Sequence, residues 1–381
     1  MRETDILIAG GGLAGSTVAA MLARAGFDVV LVDLHAVHPF ELRCEKLIGR
    51  QVDILRRTGL AEHVLPQATL DGECWVAHFG RVVEKLPPGQ WGILYDTLVN
   101  TVRAAIPAGT RFVRDKVTRI ANGPDRQIVG LSSGEEFSAR LVVLANGLNS
   151  GLRQSLGMVH EIVSRNHSVT LAFDLKPVGR TSFDFGALTY FSERTEDRLA
   201  YITLFPIGDA MRANLMVYRD MDDPWLRQMR QEPDVAMGAV MPGLGRLTGP
   251  TEVVGPVRVR PADLYVTREH LQPGVVLVGD AFASTCPVTG TGADKVFTDV
   301  ERLCNVHVPR WMATPGMGVE KIGAYYADPV KVACDRYSLD KAFSARSVAL
   351  HEGLPWRTWR WARFFGRLAI GRAREVFAQV R

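Results

Sequence analysis

Ile6-Leu-Ile-Ala9 runs into Gly10-Gly-Gly-Leu-Ala-Gly15. After an alanine-rich stretch from Ser16 to Ala25 the chain reaches Gly26, Val29-Val-Leu-Val32 and Asp33. The first apolar run suits a strand buried on both faces, the alanine-rich stretch suits a helix ended by Gly26, and the second run suits a neighbouring buried strand. Between strand and helix the spacing Gly10-x-Gly12-x-x-Gly15 has a physical reason at each position. Gly10 permits the tight turn, Gly12 lets backbone approach a pyrophosphate, and Gly15 lets helix and strand pack closely. The helix start at Leu13 and Ala14 adds unpaired N–H groups and the positive end of a dipole. Asp33 ends the second strand, where a carboxylate accepts hydrogen bonds from a ribose 2′-OH and disfavours a 2′-phosphate. These 28 residues therefore predict a βαβ unit for a nucleotide of the NAD or FAD type.

Working outward, helices are expected across Gln51–Thr58 and from Asp96 to Ala105, and buried strands at 141–145 and 274–279. The texture between those two strands differs. Residues 167–175, 188–192, 199–205 and 212–219 are rich in aromatic and β-branched residues with turn signals between them, which predicts an antiparallel sheet. The expected organisation is one α/β domain of segments 1–70, 88–155 and 265–345, a mostly β domain of 71–87 and 156–264, and a helical C-terminal segment, 346–381. With 381 residues, two domains are the natural division.

A second glycine-rich stretch, Gly279-Asp-Ala-Phe-Ala-Ser-Thr-Cys-Pro-Val-Thr-Gly-Thr-Gly-Ala-Asp294, follows the 274–279 strand. It resembles the second FAD signature of the single-component flavoprotein monooxygenases of the para-hydroxybenzoate hydroxylase type, with Gly279, Asp280, Pro287, Gly290 and Gly292 in register. The resemblance implies a Rossmann-type FAD-binding domain with an inserted antiparallel β-sheet substrate domain and a helical C-terminus. By the same resemblance Asp280 contacts the flavin ribitol, Pro287 lies over the active site, and the backbone of Gly290, Thr291, Gly292 and Ala293 meets the isoalloxazine. The family's middle motif, Ala-Asp-Gly followed by Ser and Arg, is here Ala145-Asn146-Gly147 with Ser150 and Arg153. That motif serves both FAD and NAD(P)H, so Asn146 and Gly147 join the expected cofactor-binding set. Two further departures are Tyr95, where the family opens a helix with Arg, and Asp294, where it has Asn.

The implied activity is FAD-dependent monooxygenation, hydroxylating an aromatic or other electron-rich small molecule through a C4a-hydroperoxyflavin, with NAD(P)H as electron donor. No second dinucleotide fingerprint follows residue 33, in keeping with transient nicotinamide docking. The segment Phe40-Glu-Leu-Arg-Cys-Glu-Lys-Leu-Ile-Gly49 falls where the family has a loop beside the flavin. Arg43 and Lys46 are its candidates for contact with FAD phosphate, nicotinamide or an anionic substrate, with a solvated surface patch as the alternative. Alternatives at the level of function are an FAD-dependent reductase or dehydrogenase of the geranylgeranyl-reductase type, a flavin-dependent halogenase, and a non-catalytic FAD-fold binding protein. Against the halogenase, Lys46 lies too near the glycine turn and no Trp-x-Trp-x-Ile-Pro segment occurs.

Five cysteines, none in a CxxC pair, argue against a disulfide framework and a zinc site, and no histidine has metal-ligand spacing, so no metal is expected. Cys44 and Cys286 read as packed thiols. The start of the chain has no signal-peptide pattern, which together with the cysteines predicts a cytoplasmic protein. The net charge of +4 is local: residues 351–381 hold seven Arg and two Glu and carry +5. No basic face with interleaved aromatics occurs outside this tail, which excludes a nucleic-acid module. The tail, Trp356-Arg-Thr-Trp-Arg-Trp-Ala-Arg-Phe-Phe-Gly-Arg-Leu, fits a helix packing its aromatic stripe on the protein, the commoner arrangement, or a peripheral membrane contact through 355–370.

Overall fold

The structure is a computed structural model that describes residues 1–379, with side chains up to residue 373. The glycine turn sits where the sequence places it, between strand Arg2–Ala9 and helix Leu13–Arg24, with Val29–Asp33 pairing in parallel beside the first strand. The first sheet runs in the order Arg111–Arg114, Val29–Asp33, Arg2–Ala9, Glu136–Leu144, Gln127–Leu131, Val117–Ala121. Val275–Leu277 also pairs in parallel with the end of Glu136–Leu144. Ile6, Leu7 and Ile8 are wholly buried because both faces are covered: Ile6 and Ile8 pack with Val18 and Leu22 of the first helix, Leu7 with Val30 and Val142 on the other side. Continuous apolar runs, rather than alternating ones, are what such a two-sided burial requires.

The second sheet has the order Thr251–Arg268, Val159–Pro177, Ala210–Val217, Leu199–Ile207, Ala187–Phe191, Cys74–His78, Arg81–Leu86. It is antiparallel except where Ala187–Phe191 meets Cys74–His78. Its outer face buries Leu171, Phe173, Leu204 and Leu215 against the helices Pro224–Gln231 and Pro233–Val240. Those two helices lie in a segment read from sequence only as strand-rich. Their local signal is a proline at each first turn, with the Asp223 side chain capping Trp225 N–H at 2.8 Å.

Cys44–Ile48, Gln90–Leu94 and Thr69–Leu70 form a small third sheet. The 40–49 segment, expected as a loop, is thus a strand through its middle, because Gln90–Leu94 supplies an antiparallel partner for it. Helices occupy Gly49–Arg57 and Tyr95–Ala104, each within two residues of expectation. At the C-terminus Pro329–Leu350 and Leu354–Gln379 are helical, and no described helix is long and apolar enough to cross a membrane.

Candidate functional site

Three adjacent parallel strands, Arg2–Ala9, Glu136–Leu144 and Val275–Leu277, deliver their following loops to one end of the first sheet. The glycine turn, the Asn146-Gly147 turn and the Gly279-Asp280 turn therefore meet although they are far apart in sequence. A Cβ on Gly10, whose φ is +103°, would come within 2.6 Å of the Ala145 carbonyl oxygen, and one on Gly279 within 3.5 Å of the Ala14 Cβ. Only glycine fits Gly10, on grounds of both backbone sign and space.

Asp33 holds this end together. Its Oδ2 accepts the Gly11 N–H at 2.7 Å and its Oδ1 the His35 N–H at 2.9 Å. A carboxylate has about four acceptor sites, so capacity for a sugar hydroxyl remains. Arg103, which sequence reading did not single out, donates from Nε to the Gly11 carbonyl at 3.0 Å and stands 3.4 Å from Asp33. Tyr95 lies on the same helix face, two turns earlier. Its hydroxyl accepts the Leu13 N–H at 3.4 Å, one of the first-turn donors of helix Leu13–Arg24. The spacing Tyr95, Val99, Arg103 is the sequence signal that marks both residues as facing the glycine turn.

Arg43 stacks on the Tyr95 ring at 4.0 Å and pairs with Glu45 at 3.2 Å. Burial opposes its charge, but Tyr95, Glu45, Asp280 and Glu41 outweigh burial and raise its pKa. Arg43, from the 40–49 segment, and Asp280, from the second glycine-rich stretch, thus act on each other. Lys46, three residues along a strand, points to the opposite face, where its Nζ lies 5.8 Å from the Phe205 ring centroid of the second sheet. Among the described residues it has no hydrogen bond or ion pair, and burial lowers its pKa. Cys44 shares that face and contacts Asn214. The structure separates Arg43 and Lys46, which the sequence grouped together.

Pro287 opens the short turn Pro287–Thr289, beneath which Cys286 is buried; the Tyr201 hydroxyl donates to the Val288 carbonyl. Burial raises the pKa of both Cys44 and Cys286, the state of packed thiols and not of nucleophiles. Gly290 has φ +63° with open space beside it, and helix Gly292–Arg302 starts just after. Gln51, also not foreseen, donates to the Gly290 carbonyl at 2.7 Å and to Asp294 at 3.1 Å. Burial pushes the Asp294 carboxyl up. Asn146 donates to the Asn149 carbonyl at 2.8 Å while its Oδ1, like the Arg153 Nε and Nη2, is buried without a hydrogen-bond partner among the described residues. Open glycine positions, two helix starts and unspent polar atoms fit an elongated polar cofactor with phosphates near Gly12 and a ring system near Gly290. Among the described residues no group of His, Cys, Asp or Glu is arranged to hold a metal ion.

The family model described as FAD binding domain matches residues 3–306. The chain is 26% identical over 329 residues to the 3-demethoxyubiquinol 3-hydroxylase of Escherichia coli (strain K12), covering 81% of this chain and 80% of that protein. It is 27% identical to the 6-hydroxynicotinate 3-monooxygenase of Bordetella bronchiseptica, covering 79% and 82%. Among solved structures, the p-nitrophenol 4-monooxygenase of Pseudomonas putida DLL-E4 superposes with a TM-score of 0.76 at 16% identity, over 100% of this chain and 97% of that one, a likeness of fold.

Proposed function

We infer, because this chain belongs to the FAD binding domain family, that it is an FAD-dependent oxidoreductase that hydroxylates an electron-rich small molecule, drawing electrons from NADH or NADPH. The observation that carries this reading is the meeting of the glycine turn and the Gly279–Ala293 stretch at one end of the parallel sheet, facing the second sheet. The balance is NAD(P)H, a proton, O2 and R–H giving NAD(P)+, water and R–OH. Bound FAD supplies the hydride acceptance and oxygen activation, and this chain's residues bind, orient and exclude water. The backbone of Gly10, Gly12, Leu13, Ala14 and Gly15 would hold the pyrophosphate, with Asp33 serving the adenosine ribose and Asp280 the ribitol. Asn146 and Gly147 form the facing wall. The helix start at Gly290, Thr291, Gly292 and Ala293 would offer N–H donors and the positive end of a dipole to the flavin ring. Arg43 balances Asp280 on the cofactor side. Lys46, on the opposite face, offers a cation to the substrate, and Pro287 closes the flavin side of that space.

Two measurements test this. When anaerobically reduced holoenzyme is mixed with oxygenated buffer, we expect reoxidation in two phases, the first proportional to oxygen concentration. Reduced flavin that persists in air would instead support a reductase or a binding protein. Separately, Asp33→Ala is expected to weaken FAD binding by about one to two decades, given a charge-assisted hydrogen bond of about 1.5–3 kcal/mol. Because Asp33 also fixes Gly11, excess FAD should restore only part of the lost stability. Fluorescence titration of the apo-proteins reads this, and equal dissociation constants would remove Asp33 from the cofactor site.

A further inference from the structure

A cavity of about 460 Å3 lies between the second sheet and helix Leu354–Gln379, walled by apolar side chains that include Phe79, Phe191, Leu199, Val348 and Phe364. Its inner end reaches Tyr201 and Val288, the residue after Pro287. The space under the C-terminal helix is therefore continuous with the turn proposed to close the active site. Its volume and lining suit an apolar body larger than a single aromatic ring, since binding clefts of about 300–1,000 Å3 hold drug-sized molecules.

The helix that roofs this cavity has two apolar stripes. The inward one packs: Phe364 lies 5.5 Å from the His78 ring and 5.7 Å from the Phe79 ring, and Gly371 is buried against the Val83 and Glu84 backbone. The outward one is bare. Leu354 and Phe365 are 77% and 59% exposed and fall at one side of the helix, eleven residues apart, while Trp361 between them stacks on the Phe79 ring at 5.7 Å and lines the cavity. The same helix is strongly basic. Residues 351–373 contain Arg357, Arg360, Arg363, Arg367 and Arg372 against the single acid Glu352. Arg357, Arg360, Arg363 and Arg367 line the cavity, Arg363 resting on the Trp359 ring at 4.6 Å and Arg367 on the Phe191 ring at 4.6 Å. Packing on the protein, the arrangement preferred from sequence, thus accounts for one stripe only.

We propose that the outward face of helix Leu354–Gln379 rests on an anionic lipid bilayer, so that a lipid-dissolved substrate enters the site through the cavity beneath the helix. Charge complementarity selects this occupant: exposed Leu354 and Phe365, on a segment whose residues 351–373 hold five arginines and one acid and whose helix roofs a cavity lined by four of those arginines, match the boundary between acyl chains and anionic headgroups. Continuity with the cavity supplies the reason for docking there. The substrate class is an amphiphile with a reactive polar head and an apolar chain, the head reaching Val288 while the chain lies under Phe364. This deepens the proposed hydroxylation and rests on it.

The test is co-sedimentation of the full-length holoenzyme with vesicles of phosphatidylcholine alone and with vesicles about one third phosphatidylglycerol. Partitioning onto the anionic vesicles should be at least about tenfold stronger and should fall in about 0.5 M salt. The double variant L354S/F365S removes two outward side chains that do not line the cavity. It should lose at least about tenfold in partitioning while keeping its FAD content and its NAD(P)H oxidation. Equal binding to both vesicle types, or unchanged binding by the double variant, would overturn the proposal. So would self-association through this face, seen in sedimentation velocity and abolished by the same variant, without vesicle binding. Oxygen reactivity of the reduced flavin is read separately, so failure here leaves the hydroxylation test standing.

Discussion

Replacing Asp299 with alanine is expected to destabilise the protein by about 3–5 kcal/mol, the usual cost of leaving a buried charge without its partner, and to weaken FAD binding at least tenfold. Asp299 is wholly buried and accepts from Lys331 at 2.9 Å, from Lys295 at 3.0 Å and from the Gly279 N–H at 3.0 Å. Asp335 accepts from the same two lysines at 2.7 and 2.9 Å. Two ammonium and two carboxylate groups thus form a closed, neutral cluster beside Phe282, Tyr325 and Tyr326. Without Asp299 a net positive charge stays among those rings, and Gly279, at φ +58°, loses the acceptor that fixes the turn carrying Asp280. Urea midpoints of apo- and holoenzyme read the first effect and FAD titration the second. Asp299→Asn separates them: it keeps an acceptor for Gly279 but not the charge, so its FAD affinity should lie nearer wild type while the stability loss persists. If Asp299→Ala melts and binds FAD as the wild type does, the cluster contributes neither effect.

The same cluster has a pH signature. Burial alone would raise the Asp335 carboxyl, but Lys295 and Lys331 outweigh it and hold it below the ordinary carboxylate range. A carboxyl depressed in the folded state stabilises above its unfolded value of about 3.9, and that contribution is lost as the pH falls through the lower folded value. Lys295 is opposed by burial, but Asp299 and Asp335 raise its pKa, so its contribution is complete at neutral pH and declines only on the alkaline side.

The first strand, glycine turn and helix were legible because each depends on neighbours within the same 28 residues: apolar runs, glycine spacing, a terminating Gly26. The Gly279–Asp294 loop was legible for the same local reason. The groups that tie these loops together were not. Arg103 reaches Gly11, Gln51 reaches Gly290, and Lys331 reaches Asp299, each across a sequence gap that no periodicity spans. Lys295 and Asp299, like Lys331 and Asp335, stand four residues apart within one helix, a spacing that exposed and buried pairs share. Only the packing of Gly292–Arg302 against Pro329–Leu350 turns them inward. Arg43 and Lys46 illustrate a different failure. Three residues apart in a loop they could act together, but once Gln90–Leu94 makes the segment a strand its two-residue period sends them to opposite faces. Charged residues are poor strand formers, so pairing decided what propensity did not.

Gly15 is the position where the loss should be largest relative to the size of the change. A Cβ there would run into the Gly10 carbonyl oxygen, and the neighbouring Ala145 Cβ would stand at 3.1 Å. Gly10 cannot yield, because its own left-handed turn already lies against the Ala145 and Asn146 backbone. Helix Leu13–Arg24 would have to lift from its strand, moving the N–H groups of Leu13 and Ala14 away from the phosphate position. Gly15→Ala is therefore expected to cost about 2–3 kcal/mol, at the upper end for overpacking. FAD affinity should fall about a hundredfold, since roughly 1 Å of misplacement removes most of a charge-assisted contact. Gly26→Ala is the matched control. It adds the same methyl group to the far end of the same helix, at φ +89° with nothing within 4 Å. It should lose about 1–2 kcal/mol through backbone strain alone and, once folded, bind FAD as the wild type does. Titrating both apo-proteins with FAD below their melting temperatures compares proximity with strain. If both variants weaken FAD equally, the effect is global destabilisation, and the close approach of helix and strand at Gly15 has no special part in holding the nucleotide.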